Sequence, residues 1–445
     1  MRTRFAAIAV LLLWAIAMRA GATTITVTNT NDSGPGSLRQ ALVDANDGDT
    51  IAFAVTGTIV LTSGGLVIDK EITISGPGAD QLSINGNHAQ SQCVFGIAAA
   101  NTVTISGLTI TNGDCGIYSD HATLAVSNCV VTHNNGNYSV GGIGINNMRG
   151  PAAPLERGNP RDVREAYADY PAGFPSLTVA NCVISDNSGS GVENLSAAVT
   201  IINSTITGNS IGNPGGHPGE GGGVYTGGGK LPGNLTVTNS TISGNFALVD
   251  GGGISCGISG LTIINSTISG NSTGDPDYGY GGGVAASTVT IANSTVSGNS
   301  AATCGGVCGG TVEIGNTILN ANTAGNIDGS VTSRGYNVCS DDAGGLLNGP
   351  GDQINTDPLL GPLQDNGGPT LTHLPLLGSP AIDAGDPNFV PPPFRDQRGS
   401  CFHRVFGRRI DVGSVETQPK PRCVRPAPRP SPHAMANDSG SQSQR

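Results

Sequence analysis

This sequence is poor in charge, in aromatic rings and in positive charge over most of its length. Charged residues are 12% of 445 and aromatics 4%, against about 25% charged in an ordinary soluble domain. Its one tryptophan, Trp14, lies in the N-terminal apolar run, and Lys230 is the only basic residue between Arg164 and Arg334. The net charge of −11 divides into +3 on residues 1–22, −18 on 23–416 and +4 on 417–445. So acidic a body repels nucleic acid and polyanions and argues against either as a partner. What is abundant is glycine, at 69 residues, together with Thr, Ser and Asn. Glycine weakens helix interiors and the small polar residues favour other states, which excludes a helical bundle. No strict Gly-x-y period exists, which excludes collagen. Hydrophobic residues at 37% still suffice for a core of Val, Ile, Leu and Ala, so the fold class is all-β and rich in turns.

Residues 1–22 have the layout of a secretory signal: Arg2 and Arg4, an apolar run from Phe5 to Ala17, and Ala20-Gly21-Ala22 as a cleavage site. The run is short for a bilayer span and no later stretch is longer, so the mature chain is expected to have no transmembrane helix. Ten cysteines in an exported chain point to disulfides. Cys304 and Cys308 stand four apart with no histidine nearby, which is poor zinc-site spacing.

Self-comparison exposes a repeat. Val199–Asn209 reads VTIINSTITGN, Leu235–Asn245 LTVTNSTISGN, Leu261–Asn271 LTIINSTISGN and Val289–Asn299 VTIANSTVSGN, with weaker copies LAVSNCVVTHN from Leu124 and LTVANCVISDN from Leu177. A decayed copy begins at Val312. The first asparagines, Asn128, Asn181, Asn203, Asn239, Asn265, Asn293 and Asn316, are spaced by 53, 22, 36, 26, 28 and 23 residues. Within a copy, apolar residues alternate, stop at Asn and resume: period two with a corner. Glycine clusters, such as Gly221-Gly222-Gly223-Val224 and Gly251-Gly252-Gly253-Ile254, then lead into another short strand. Units of this size that stack in parallel describe a β-helix with three-strand coils. On this reading Asn128, Asn181, Asn203, Asn239, Asn265 and Asn293 form an amide ladder at one corner. The competing reading of the four N-S-T copies is glycosylation. Cys129 and Cys182 each follow such an Asn and would stand on adjacent coils, within reach of a disulfide.

The open ends of a β-helix must be covered. Ser37-Leu38-Arg39-Gln40 has capping-box spacing, so residues 37–46 are expected to form an amphipathic capping helix. Thr30–Leu42 (TNDSGPGSLRQAL) and Gly48–Phe53 (GDTIAF) resemble the opening of bacterial right-handed parallel β-helix surface proteins of the pectin-lyase-like superfamily. DPLLGPLQDNGGPTLTHLPLLGSPAIDAG at 357–385, RDQRG at 395–399 and IDVGSVE at 410–416 resemble a choice-of-anchor Q domain. The resemblance implies a signal peptide (1–22), an N-terminal strand and cap (23–50), a β-helix (51–345), an anchor-type segment (346–416) and a disordered tail (417–445). It also implies a monomer exported to the cell surface, outer membrane or medium.

Parallel β-helices include polysaccharide lyases and hydrolases, so a catalytic role stands beside a binding one. There is no G-H-G, since His217 lies in G-H-P, and Arg409-Ile410 is followed by Asp411. A lyase needs a basic proton acceptor, commonly with Ca²⁺ on clustered carboxylates, and the acidic body offers only Lys230. Asp275 and Asp277 in GDPDYGY could bind Ca²⁺, but a solvated turn accounts for the same residues. The reading is therefore binding or adhesion, to cell-surface glycans or proteins, with no assigned catalytic residues. A lyase or glycoside hydrolase acting on a polyuronate is the alternative. Two features stand outside the repeat. The segment 148–175 mixes charges with Tyr167, Tyr170 and Phe174, as a surface or recognition loop would. The cluster Arg395, Arg398, Arg404, Arg408 and Arg409 is expected to pair with the acidic body or with an anionic partner.

Overall fold

The computed structural model describes residues 21–88, 92–98, 101–120, 122–135, 144–148, 176–195, 197–212, 219–227 and 233–419. The signal-type segment 1–20, the insertion 149–175, His217, Lys230 and the tail beyond 419 lie outside the described residues.

Each repeat winds one coil. In the coil centred on the second N-S-T copy, a first strand Val224–Thr226 is followed by a second, Leu235–Thr238, and a third, Thr241–Ser243. A two-residue corner strand, Phe246–Ala247, completes it. Every one pairs in parallel with its equivalent a coil later: Val224 with Ile254, Leu235 with Leu261, Thr241 with Thr267 and Phe246 with Ser272. The result is a right-handed parallel β-helix, the hand that twisted strands impose on parallel crossovers. Alternation sends Val224, Leu235, Val237 and Ile242 inward, where all four are fully buried. Their counterparts in neighbouring coils stack above and below as columns of Val, Ile and Leu.

Two left-handed corners per coil explain the motif. Asn203, Asn239, Asn265 and Asn293 have φ of 48–50°, and Gly208, Gly244, Gly270 and Gly298 of 62–66°. Asparagine and glycine are the residues that adopt this backbone at least cost. The structure therefore relocates the expected ladder. The first asparagines turn the chain, from exposed Asn128 to buried Asn265. The sole amide link between two of them is Asn265 Nδ2 to Asn239 Oδ1 at 3.3 Å, among the described residues. The inward position is one residue on, where Ser204, Ser240, Ser266 and Ser294 accept backbone N–H bonds from the preceding coil at 3.1–3.2 Å.

The continuous amide ladder runs through the second asparagine of each copy. Asn134, Asn187, Asn209, Asn245, Asn271, Asn299 and Asn322 are all buried. Each of the first six donates both its backbone N–H and its Nδ2 to the next Oδ1, at 2.8–3.2 Å. Close packing beside it requires glycine: a Cβ on Gly253 would lie 2.5 Å from the Gly283 carbonyl oxygen and 2.9 Å from Asn271 Nδ2.

The Cys129–Cys182 disulfide is not formed. Both keep buried thiols, in contact with each other and aimed at carbonyls, Cys129 at Ser127 (3.2 Å) and Cys182 at Ala180 (3.3 Å). That contact and burial push the Cys129 thiol well up, so it is held as the neutral, unreactive form. Disulfides join Cys93 to Cys115 and Cys304 to Cys308 instead.

The N-terminal cap is a helix over Leu38–Asp44, shorter than the expected 37–46. Ser37 accepts the Gln40 N–H at 3.2 Å, but the box is half-made, because the Gln40 side chain bonds Asp44. Leu38, Ala41 and Leu42 close the core. At the far end Ala343 and Leu347 do the same, and the chain then folds back over the third strands. Thr241 donates to the Leu371 carbonyl, Thr267 to Gln397, and Ser414 N–H to Thr295. Segment 346–416 is thus a strap on the solenoid. Arg398 pairs with one of the strap's own acids, and Arg404 and Arg409 donate to the strap's own carbonyls rather than to acids of the body. Asp396, Arg398, Arg404, Asp411 and Glu416 are all buried. Arg398 meets Asp396 at 2.6 Å, Glu416 accepts the Asp411 and Phe406 N–H groups, and Arg404 donates to the Asp411 carbonyl.

Two outcomes follow from this packing. Asn245→Ala strands two buried donors on Asn209 and should cost about 2–4 kcal/mol, whereas the corner change Asn203→Gly should stay within about 0.5 kcal/mol; urea unfolding ranks them. Burial, then the charge of Asp411, push the Glu416 carboxyl up to about 8. The folded state then holds a proton that the unfolded chain, near 4.5, releases earlier. Stability from this group is complete below about pH 4.5 and is lost as pH rises through about 8. Glu416→Gln should flatten that decline in the thermal unfolding midpoint.

Candidate functional site

The coil leaves three outer surfaces, and they differ in chemistry. The strap covers the third strands of the later coils. The second strands present threonines. The first strands carry tyrosine and carboxylate.

Along the first strands one register position runs from Tyr118 through Asn146, Glu193, Tyr225 and Ser255 to Ala285, Cys308 and Asp328. In-register parallel stacking places each about 4.8 Å from the next, so residues scattered over 200 positions become one row. The row is densest at Glu193 and Tyr225, direct partners on Val192–Asn194 and Val224–Thr226. Glu220, on the glycine turn leading into Val224–Thr226, joins them, accepting from Ser255 Oγ at 3.4 Å. Glu193 is buried and Tyr225 half-buried. Burial first, then the charges of Glu220 and Glu193, push the Tyr225 phenol up to about 12, so it stays a protonated donor. Its ring lies over Gly227, where any Cβ would collide with the hydroxyl.

A second group lies at the glycine corner. Asp250 pairs with Tyr280 and accepts its N–H at 3.2 Å. Burial and then Asp275 raise the Asp250 carboxyl, while burial, Asp328 and Asp250 raise the Tyr280 phenol. Asp275, the Ca²⁺ candidate, spends Oδ1 on the N–H groups of Asp277 and Tyr278 at 2.9 Å each. Among the described residues no three His, Cys, Asp or Glu side chains group so as to hold a metal ion.

This arrangement presents ring faces for stacking, carboxylates as acceptors and neutral phenols as donors, which is chemistry suited to sugar hydroxyls. Its negative charge repels a bare polyanion. Sequence reasoning missed Glu193 and Glu220. Neither belongs to the repeated motif, and only register brings Glu193 beside Tyr225. The six asparagines and two cysteines singled out in the sequence are structural and lie at the opposite corner of the coil, between second and third strands.

Among the described residues no helix is long and apolar enough to cross a membrane. No family model and no curated protein matches the chain. Among solved structures it is similar to pectate lyase Pel9A, at 14% identity and a TM-score of 0.46, covering 90% of this chain and 97% of that one. It is also similar to a mannuronic acid-specific polysaccharide family 6 lyase from human gut microbiota, at 11% identity and a TM-score of 0.37 over 75% and 83% of the two chains. The A-module of the Azotobacter vinelandii mannuronan C-5 epimerase AlgE4 is similar at 15% identity and a TM-score of 0.34, over 75% and 91%.

Proposed function

We propose that this is an exported glycan-binding β-helix protein, acting at the cell surface or in the medium. The observation that carries the reading is the Glu193–Tyr225–Glu220 cluster on the first-strand row. A half-buried ring between two carboxylates can stack on a sugar and hold its hydroxyls. The acidic row favours a neutral glycan, or an acidic one bridged by Ca²⁺. The signal-type N-terminus and the disulfides Cys93–Cys115 and Cys304–Cys308 support export, and the choice-of-anchor Q-like segment supports a surface role through the strap it forms.

A second reading, cleavage of the glycan by a lyase or hydrolase, has one observation in its favour: a protonated phenol between two carboxylates is a set from which acid and base can be drawn. One experiment separates the two. The full chain is titrated with neutral glycans and polyuronates, with and without Ca²⁺, and the supernatants are assayed for unsaturated or reducing ends. Binding without products is expected, weakened about tenfold, or about 1.4 kcal/mol, by Tyr225→Ala and by Glu193→Gln. Products that vanish with Glu193→Gln or Glu220→Gln would establish the enzyme, and no binding to any glycan would end both readings.

A further inference from the structure

The cysteines of the coils do not use up all ten. Cys93 pairs with Cys115 and Cys304 with Cys308, while Cys129, Cys182, Cys256 and Cys339 keep buried thiols. Cys401, on the strap, is a half-cystine. The one cysteine of the sequence left to be its partner is Cys423, which lies beyond the described residues. The strap ends within reach of such a bond. Gln418 Nε2 donates to the His403 carbonyl at 3.0 Å, so the last described residues run beside the chain two positions from Cys401. Four further residues lead from Pro419 to Cys423, a span of up to about 14 Å. A disulfide asks only that the two Cα atoms come within about 4.4–6.8 Å.

The surface at that point is apolar. Phe394, Val405 and Phe406 are 69%, 44% and 45% exposed. The backbone brings them together where the chain leaves: Arg404 N–H bonds the Phe394 carbonyl, and Phe406 N–H bonds Glu416, two residues before Gln418. Rings left in water are covered at a gain wherever an apolar segment can reach them. The segment that follows, 420–428 (KPRCVRPAP), sets three prolines, Val424 and Ala427 around Cys423. Proline has little backbone freedom to lose, which lowers the cost of docking such a segment. The segment also carries Lys420, Arg422 and Arg425 and no acid, opposite in sign to the body at −18. A bridge from Cys401 to Cys423 closes a ring that contains Arg404, Asp411 and Glu416, three of the five buried charges of the strap.

We propose that 420–428 is a clasp: Cys423 is bonded to Cys401, and the segment lies over Phe394, Val405 and Phe406 and locks the strap onto the third strands. The bond forms by exchange with the disulfide of a thiol oxidoreductase, which takes up the two electrons and two protons of the cysteine pair and leaves as the dithiol. The full chain, its accessible thiols first alkylated, is digested with trypsin with and without reductant. Trypsin does not cut before proline, and Lys420, Arg425 and Arg429 each precede one, so 399–404 (GSCFHR) and 423–445 should appear as one linked mass that reduction separates. Alkylation of Cys423, or its linkage to any other cysteine, overturns the proposal. A covalent dimer on a non-reducing gel also overturns it, by assigning the pair to two copies. The covering is read by hydrogen exchange. In Cys423→Ser, and in Val424→Asp, which keeps both cysteines, the amides of Arg404 and Phe406 should exchange roughly tenfold faster than in the wild type, with Val237 and Ile263 in the coils unchanged. Exchange at Arg404 and Phe406 that neither variant alters removes the covering and with it the clasp. None of these readouts involves the tyrosine and carboxylate row, so they stand apart from the glycan reading.

Discussion

The in-register stacking of coils is the constraint on which everything else here depends. Once the strands pair in parallel without slip, every position of the repeat becomes a column. A polar side chain that points inward must then find its partner in the coil above or below. The buried asparagines meet this demand with one amide each. Oδ1 accepts two donors from the preceding coil, while Nδ2 reaches the following Oδ1. Removing a member exposes its neighbour's donors to an apolar interior, which costs more than the bond was worth. The ladder therefore ties coils together more specifically than the aliphatic columns do.

The same constraint composes the outer surfaces. Columns turn a repeated residue into a row of identical groups, as with the second-strand threonines, and they turn unrelated residues into neighbours, as with Glu193 and Tyr225. The strap exploits the third surface, where a row of threonines supplies evenly spaced partners for Gln397, Ser414 and the Leu371 carbonyl. Its own stability comes from a knot of buried acids and arginines. Such a knot is held by mutual compensation, and for that reason it is sensitive to the protonation of Glu416.

Much of the fold was legible in the residues. The N-S-T and G-N elements marked corners, the alternation marked strands, and Ser37 marked the start of the cap. The ladder was legible in kind but displaced in position. A side chain's direction after a left-handed residue depends on the corner, and the motif holds two asparagines with opposite fates. The cysteine pairing was misjudged because adjacency of coils fixes separation and leaves the thiols free to turn toward carbonyls. The strap's self-contained ion network was not legible, since it joins residues up to 20 apart in a segment without periodicity.

By itself, then, the sequence determined an all-β chain of stacked coils, its corners, its N-terminal cap and its shortage of positive charge. These are local matters: backbone preference at Asn and Gly, period-two burial, and composition. Tertiary structure alone decided which asparagine faces inward, which surface the strap covers, and that Glu193, Tyr225 and Glu220 share one place. Those are matters of register across coils, and the uneven spacing of the repeats, from 22 to 53 residues per step, hides that register from any reading along the chain.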